Sequence, residues 1–158
     1  MMAEGFAAEV LAAARARGVT LATAESCTGG LIVGALTEVP GSSDVVDCGF
    51  VTYSNAAKTR MLGVSQATLA AHGAVSEAVA AEMAAGAQAR SGAGMAVAVT
   101  GIAGPGGSDF KPEGRVCFGL ATPAGVRTET VEFGPRGRHA VRAATVEHAL
   151  RIVLGALG

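Results

Sequence analysis

Compact apolar runs alternate with longer segments of helical periodicity along the whole chain. The runs at 19–23 and 95–100 are short and continuous, as in strands that are buried on both faces. Residues 45–53 are rich in β-branched and aromatic side chains, which also favours a strand. Two further runs flank Pro123-Ala124-Gly125 and predict a hairpin. The predicted strands are 19–23, 45–53, 95–100, 115–122 and 126–133.

Amphipathic periodicity predicts helices in the segments between the strands. Phe6, Val10 and Leu11 lie on one face of the first helix, and Gly18 ends it. Ser76 is a good N-cap for a longer helix, and Glu77 suits the positive end of its dipole. The predicted helices are 4–17, 28–38, 56–62, 65–71, 76–90 and 138–154. This alternation predicts one α/β domain over 1–158, a three-layer α/β/α sandwich around a mixed sheet.

Composition narrows the class of protein. The 158 residues fit one domain, and with a net charge of −1 the chain has no basic face for nucleic acid. Three cysteines are spaced neither as a disulfide framework nor as CxxC metal pairs, which predicts a reducing compartment. Without a signal-peptide pattern or a membrane span, we expect a cytoplasmic protein with no membrane partner. Ala-rich helices and few charges predict a homo-oligomer.

The strongest chemical signal is the segment Ala24-Glu25-Ser26-Cys27-Thr28-Gly29-Gly30, between a predicted strand and a predicted helix. Such a turn directs backbone N–H groups at one point, where they stabilise an anion or an oxyanion. The amides of Thr28, Gly29 and Gly30 are the candidate donors. Ser26 is the candidate nucleophile, and a helix N-cap is its structural alternative. Cys27 is a rival nucleophile or a small buried side chain.

A serine hydroxyl needs a base, and the chain offers two kinds. Its three histidines, His72, His139 and His148, lie in no Ser-His-Asp motif. The chain has only two lysines, and Lys58 follows a buried strand at the start of a helix. Apolar surroundings disfavour its charged form, so Lys58 is the candidate base, with a solvated surface lysine as the alternative. Tyr53, the only tyrosine, is a candidate to relay a proton or to orient Lys58.

A second Gly-rich loop follows the strand at 95–100, and a basic segment precedes the last helix. Neither the P-loop nor the dinucleotide-binding pattern fits the loop, so a flexible turn is the alternative to a phosphate cradle. Arg138 and Arg142 are four residues apart on one helix face and suit a phosphate clamp or a solvated helix start. The candidate substrate-binding residues of these segments are Gly101, Gly104, Gly106, Arg138 and Arg142.

Five motifs in this order resemble the CinA C-terminal domain family, whose members include nicotinamide-nucleotide amidohydrolases. The resemblance covers about residues 10–150. Its motifs are Thr23-Ala24-Glu25-Ser26-Cys27-Thr28-Gly29-Gly30, Val51-Thr52-Tyr53-Ser54-Asn55 with Lys58, His72-Gly73-Ala74-Val75-Ser76-Glu77, Val99-Thr100-Gly101-Ile102-Ala103-Gly104-Pro105-Gly106-Gly107 and Lys111-Pro112-Glu113-Gly114. It implies a stand-alone enzyme that releases ammonia from nicotinamide mononucleotide (NMN) in pyridine nucleotide salvage. It further implies a Ser26 nucleophile, a Lys58 base with Tyr53 nearby, and no metal or other cofactor.

Two stretches depart from the family pattern, and the first of them adds two charges. The stretch usually written KPVGTV has Glu113 and Arg115 here, and the usual Gly-Asp-Arg before the last helix reads Gly134-Pro135-Arg136-Gly137-Arg138. The phosphate-binding arginine is therefore predicted as Arg138, with Arg142 second. The alternative function is a non-catalytic nucleotide-binding or partner-binding module linked to competence or DNA damage. Few aromatic residues and the near-neutral charge argue against direct DNA binding.

Overall fold

A computed structural model describes residues 2–108 and 110–158 of the chain. It contains five strands and six α-helices in these residues, together with a short 3₁₀ turn at Ser42–Asp44. The strands are β1 (Leu21–Glu25), β2 (Val46–Val51), β3 (Met95–Gly101), β4 (Arg115–Thr122) and β5 (Gly125–Glu132). The helices are α1 (Met2–Arg17), α2 (Leu31–Thr37), α3 (Asn55–Leu62), α4 (Gln66–His72), α5 (Glu77–Ser91) and α6 (Arg138–Leu157).

The sheet has the strand order β2-β1-β3-β4-β5. The first three strands are parallel, and β4 and β5 continue the sheet in antiparallel order. Helices α1, α2 and α6 cover one face, while α3 and α5 pack on the other. The predicted α/β/α sandwich with a mixed sheet and the predicted hairpin are confirmed. None of the described helices combines the length and the hydropathy needed to cross a membrane.

The two faces of the sheet differ in side-chain size, because residues along a strand point alternately to opposite faces. Val97 and Val99 belong to the core under α1 and α6, whereas Ala96 and Ala98 belong to the core under α5. Small side chains let α5 approach closely: a Cβ built on Gly119 would lie 2.4 Å from the carbonyl oxygen of Ala80. Alanine and glycine therefore set the spacing on the α5 side, and valine fills the other side.

The turn after β1 departs most from the predicted boundaries. The strand runs to Glu25 rather than ending at residue 23, and α2 begins at Leu31 rather than at residue 28. Gly29 and Gly30 take left-handed φ angles of 59° and 107°, which keep this stretch out of the helix. A sharp turn between Glu25 and Leu31 therefore presents Ser26 at the carboxyl end of the sheet.

Candidate active site

The carboxyl ends of the parallel strands meet at one edge of the sheet and surround a cleft of about 390 Å³. The turn after β1, the segment after β2 and the Gly-rich loop after β3 each contribute to it. The cleft is lined by Ser26, Cys27, Tyr53, Asn55, Lys58, Ala74, Val75, Gly107, Ser108, Lys111, Arg138 and residues 100–106. Its size suits a small molecule, and open α/β sheets bind ligands at this edge.

The nucleophile turn is held from both sides by long-range contacts. The N–H of Ser26 donates to the carbonyl of Val99 on β3 at 3.2 Å. From α6, Arg142 donates through Nε to the carbonyl of Cys27 at 3.1 Å and through a terminal nitrogen to that of Thr28 at 3.2 Å. Arg142 therefore braces this turn and is not among the residues that line the cleft. Its predicted phosphate contact remains untested.

Glu25 occupies the amino end of α2. Its fully buried carboxylate accepts hydrogen bonds from the N–H groups of Ile32 at 2.9 Å and Val33 at 3.0 Å, and from the hydroxyl of Thr28 at 2.5 Å. A carboxylate is the best partner for these amides, which have no acceptor inside the helix. The amino end of α2 is thus occupied by the protein itself.

Three amides were predicted to stabilise an oxyanion. The N–H of Gly29 donates to the carbonyl of Ser26 at 3.1 Å. Within the described part of the chain, the N–H groups of Thr28 and Gly30 make no hydrogen bond. Thr28, Gly29 and Gly30 are not among the residues that line the cleft, so their predicted role as oxyanion donors stays a prediction.

Helix α3 delivers Lys58 to Ser26. Ser54 caps this helix by accepting from the N–H of Ala57 at 3.0 Å, and the first turn then points Lys58 into the protein. The Lys58 side chain is 1% exposed, and its Nζ lies 3.1 Å from the Ser26 Oγ. It also donates to the carbonyls of Thr52 at 3.0 Å and Tyr53 at 3.3 Å. The surface alternative for Lys58 is wrong.

The surroundings of Lys58 disfavour its charged form relative to a lysine in water. Among the described residues, none of the ion pairs involves Lys58. Burial lowers the pKa of its amine below the ordinary 10.5, and this effect exceeds the opposing effect of Cys27. A neutral amine has two N–H groups for the two carbonyls and one lone pair for the hydroxyl of Ser26. The geometry thus fits a base that accepts the Ser26 proton.

Cys27 borders the same cleft but is poorly suited as a nucleophile. Its side chain is buried, and burial raises the pKa of its thiol to about 11. At neutral pH the thiol stays protonated, and only the thiolate is strongly nucleophilic. The structure therefore favours Ser26 over Cys27.

Arg138 spans the mouth of the cleft from the start of α6. It donates to the carbonyl of Gly104 at 2.7 Å and to the hydroxyl of Tyr53 at 2.9 Å. The Tyr53 phenol, with the residue 63% exposed, thus contacts Arg138, while its backbone carbonyl contacts Lys58. The predicted roles of Tyr53, to relay a proton or to orient Lys58, stay predictions. Arg138 lines the cleft, whereas Arg142 does not, and the phosphate contact of Arg138 also stays a prediction.

Glu113 is one of the two charged residues that the family pattern does not have, and its contacts show what it does. Its carboxylate accepts from the N–H of Gly106 at 2.7 Å and from that of Gly137 at 3.0 Å. It therefore ties the Gly-rich loop to the start of α6, just before Arg138. The other added charge, Arg115, pairs with Glu132 at 2.5 Å across the hairpin. Glu113 therefore joins two segments that border the cleft, whereas Arg115 forms an exposed ion pair on the hairpin.

The candidate histidines lie outside the cleft lining. His148 bonds to Glu129 at 2.7 Å and packs against Phe118. Sequence reasoning missed Thr100 and Asn55, which both line the cleft. Thr100 lies next to the end of β3, just before the Gly-rich loop, and this position was the signal that could have identified it. In the described ranges no group of three or more His, Cys, Asp or Glu residues is arranged to hold a metal ion.

Fold and site together define a class: an α/β domain with a buried serine–lysine pair at the carboxyl edge of its parallel strands. The family model of the CinA C-terminal domain matches residues 3–157. The chain therefore belongs to the CinA C-terminal domain family, which confirms the family predicted from the motifs.

Known relatives agree with this assignment. A nicotinamide-nucleotide amidohydrolase, PncC of Escherichia coli (strain K12), is 50% identical over 140 residues, which cover 88% of this chain and 85% of that protein. A CinA-like protein of Chlorobium phaeobacteroides (strain BS1) is 59% identical over 89% of this chain but only 34% of its own length. The chain thus spans about a third of that longer relative. The crystal structure of the competence/damage inducible protein CihA from Agrobacterium tumefaciens matches with a TM-score of 0.95 and 51% identity, covering 99% of this chain and 96% of that one.

Proposed function

We propose that this chain hydrolyses the carboxamide of nicotinamide mononucleotide to give nicotinic acid mononucleotide and ammonia, as a step of pyridine nucleotide salvage. The observation that carries the proposal is the buried pair of Ser26 and Lys58, with 3.1 Å between Oγ and Nζ. Similarity to PncC over most of both chains supports an amidohydrolase that acts on this nucleotide.

In the proposed acylation, the Ser26 Oγ attacks the carboxamide carbon while its proton passes to the neutral amine of Lys58. The resulting oxyanion accepts hydrogen bonds from the amides of Thr28 and Gly30. One such donor contributes about 3–4 kcal/mol in comparable acyl-transfer enzymes. The Lys58 ammonium then gives the proton to the leaving nitrogen. The carbon–nitrogen bond of the tetrahedral intermediate breaks, ammonia departs, and an ester of Ser26 remains.

Deacylation reuses the same base. Lys58 takes a proton from water, the hydroxide adds to the ester carbon, and the proton returns to the Ser26 Oγ as the bond breaks. The product is a carboxylate and the serine is regenerated. The backbone carbonyls of Thr52 and Tyr53 hold the amine in place through both steps.

The 5′-phosphate is assigned to Arg138 and the Gly-rich loop. Arg138 lines the cleft, and its two terminal nitrogens donate to the carbonyl of Gly104 and to the hydroxyl of Tyr53. Its side chain is exposed there and can turn toward a ligand. A guanidinium matches phosphate through paired N–H donors. The other polar end of the substrate then lies toward Ser26, deeper in the cleft.

The test is ammonia release from nicotinamide mononucleotide by the purified protein in EDTA. Ser26→Ala removes the nucleophile and is expected to lower kcat at least about a thousandfold. Cys27→Ala is the matched control at the adjacent cleft position, with activity expected within about threefold of wild type because its thiol is only packed.

Loss of activity in Cys27→Ala with retention in Ser26→Ala would refute the nucleophile assignment. Wild-type protein that binds the nucleotide without releasing ammonia would instead support the non-catalytic binding module.

A further inference from the structure

Arg142 of α6 contacts the nucleophile turn at two points. Its Nε donates to the carbonyl of Cys27 at 3.1 Å, and a terminal nitrogen donates to the carbonyl of Thr28 at 3.2 Å. The residue is half-buried, and none of the ion pairs among the described residues involves it. An arginine without a carboxylate partner thus directs its charge at two adjacent peptide groups of the turn.

The turn itself runs from Ser26 to Gly29. The N–H of Gly29 donates to the carbonyl of Ser26 at 3.1 Å, which closes a four-residue turn with Cys27 and Thr28 at its centre. In such turns the hydroxyl of a serine at the first position can accept from the N–H of the third residue. We therefore expect the N–H of Thr28 on the side of the turn where the Ser26 side chain lies.

One peptide group links Arg142 to this amide. The C=O of Cys27 and the N–H of Thr28 belong to the same planar trans peptide group, so they point in opposite directions. A guanidinium that fixes the C=O therefore also fixes the N–H. Because consecutive hydrogen bonds polarise one another, a donor on the C=O makes the N–H a stronger donor in turn.

The charge of Arg142 acts in the same direction as its hydrogen bonds. Burial raises the pKa of the Cys27 thiol to about 11, and Arg142 is among the charged groups that oppose this rise. Its charge therefore favours an anion at Cys27, the residue next to Ser26. An oxyanion formed at Ser26 is stabilised by the same charge, since the attraction between opposite charges weakens only with the inverse of their distance.

We propose that Arg142 is a positioning residue for the reaction, which aims the Thr28 amide at the oxyanion that forms when Ser26 attacks. This role rests on the proposed function. Arg142 acts through the main chain, because it lies outside the cleft lining, whereas Cys27, whose carbonyl it binds, lines the cleft. A donor that is oriented before the reaction begins stabilises the transition state without a cost of reorganisation.

A phosphate contact, the role that the sequence suggested for Arg142, predicts a different kinetic result. Loss of a phosphate contact weakens binding of the nucleotide in the ground state as well as in the transition state. Loss of a group that orients an oxyanion donor lowers kcat and leaves the dissociation constant of the nucleotide nearly unchanged. The two roles are therefore separated by measuring both quantities.

The first test is ammonia release from nicotinamide mononucleotide by Arg142→Met, whose side chain is apolar and unbranched. Its kcat is expected to fall about 10- to 100-fold. The dissociation constant, measured by calorimetry with Ser26→Ala added to prevent turnover, should stay within about threefold. Arg142→Lys keeps the charge without the planar fork, and its kcat should lie between the two. Arg151→Met removes an exposed arginine from the same helix and is the control that keeps wild-type kcat.

A second measurement reports on the oxyanion itself. In thionicotinamide mononucleotide a sulfur atom replaces the carboxamide oxygen, and sulfur is a weak hydrogen-bond acceptor. Wild type should therefore prefer the oxygen substrate. The ratio of the two kcat values is expected to be about 5- to 10-fold smaller in Arg142→Met, because the hydrogen bonds that distinguish the substrates are already weakened. A change that only misplaced Ser26 would slow both substrates equally.

Several results would overturn the positioning role and leave the deamidase function intact. These are an Arg142→Met variant with wild-type kcat, a loss that appears in the dissociation constant instead, or an unchanged ratio of the oxygen and sulfur substrates. If circular dichroism shows that Arg142→Met does not fold, the same measurements on Arg142→Lys decide. Wild-type protein that releases no ammonia would overturn the proposed function and this role with it.

Discussion

Replacing Glu25 with glutamine is expected to destabilise the domain although it changes only one atom. The carboxylate accepts from Thr28 and Ile32 through Oε1 and from Val33 through Oε2. A glutamine amide offers one acceptor oxygen, so its NH₂ group would face the N–H of Val33. That amide then loses its partner inside the protein.

The magnitude follows from two costs. A buried donor left without an acceptor costs about 1–3 kcal/mol, and loss of a negative charge at a helix amino end costs about 0.3–1 kcal/mol. We therefore expect Glu25→Gln to lower the free energy of unfolding by about 1–4 kcal/mol. For a domain of this size each kcal/mol shifts Tm by about 2–4 °C, which gives a loss of about 3–16 °C.

Urea and thermal unfolding followed by circular dichroism measure this effect. Glu38→Gln is the matched control, because Glu38 is exposed at the carboxyl end of the same helix, where a negative charge is unfavourable. The free energy of unfolding of this control is expected to differ from wild type by less than about 0.5 kcal/mol. Equal stabilities of the Glu25→Gln and Glu38→Gln variants would refute the assignment of Glu25 as the cap of α2.

Other predictions test the substrate assignment and the packing. Arg138→Ala should lower kcat/KM for nicotinamide mononucleotide about 10- to 100-fold while leaving that for nicotinamide riboside, which lacks the phosphate, nearly unchanged; an equal loss for both would exclude a phosphate contact. Gly86→Ala should lower the unfolding free energy by about 1–3 kcal/mol, because the new Cβ would lie 1.9 Å from the Leu62 carbonyl oxygen. Gly34→Ala, with nothing within 4 Å, should instead raise it by about 0.5–1 kcal/mol, and chemical denaturation distinguishes the two.

Local patterns predicted the elements well, because hydrophobic periodicity and caps act within a few residues. Ser76, for example, caps α5 as predicted by accepting from the N–H of Val79 at 3.2 Å. The strand order and the placement of Lys58 beside Ser26 depend on contacts between distant segments. The resemblance to the family paired these two residues, but only the folded chain shows that Lys58 is buried.

The arginines show the limit of sequence reasoning most clearly. Arg138 and Arg142 share a helix face, and the spacing alone suggests a joint clamp. In the fold, Arg138 reaches the cleft while Arg142 bonds to the carbonyls of Cys27 and Thr28, more than a hundred residues away along the chain. Glu25 also could not be assigned from the sequence. It caps α2 because the turn after β1 folds back on the strand, and hydrophobic periodicity does not predict that turn.

The most direct test of the central claim is the pH dependence of kcat/KM between pH 5 and pH 9, for wild type and for Lys58→Arg. Because the neutral amine is the base and burial lowers its pKa below 10.5, wild-type kcat/KM should rise with pH, up to tenfold per unit below that pKa. The arginine of Lys58→Arg stays protonated over this whole pH range and cannot act as a base. The kcat/KM of this variant should therefore be at least about a hundredfold lower than that of wild type. A wild-type rate that falls as pH rises, or a Lys58→Arg variant with wild-type activity, would contradict the serine–lysine mechanism.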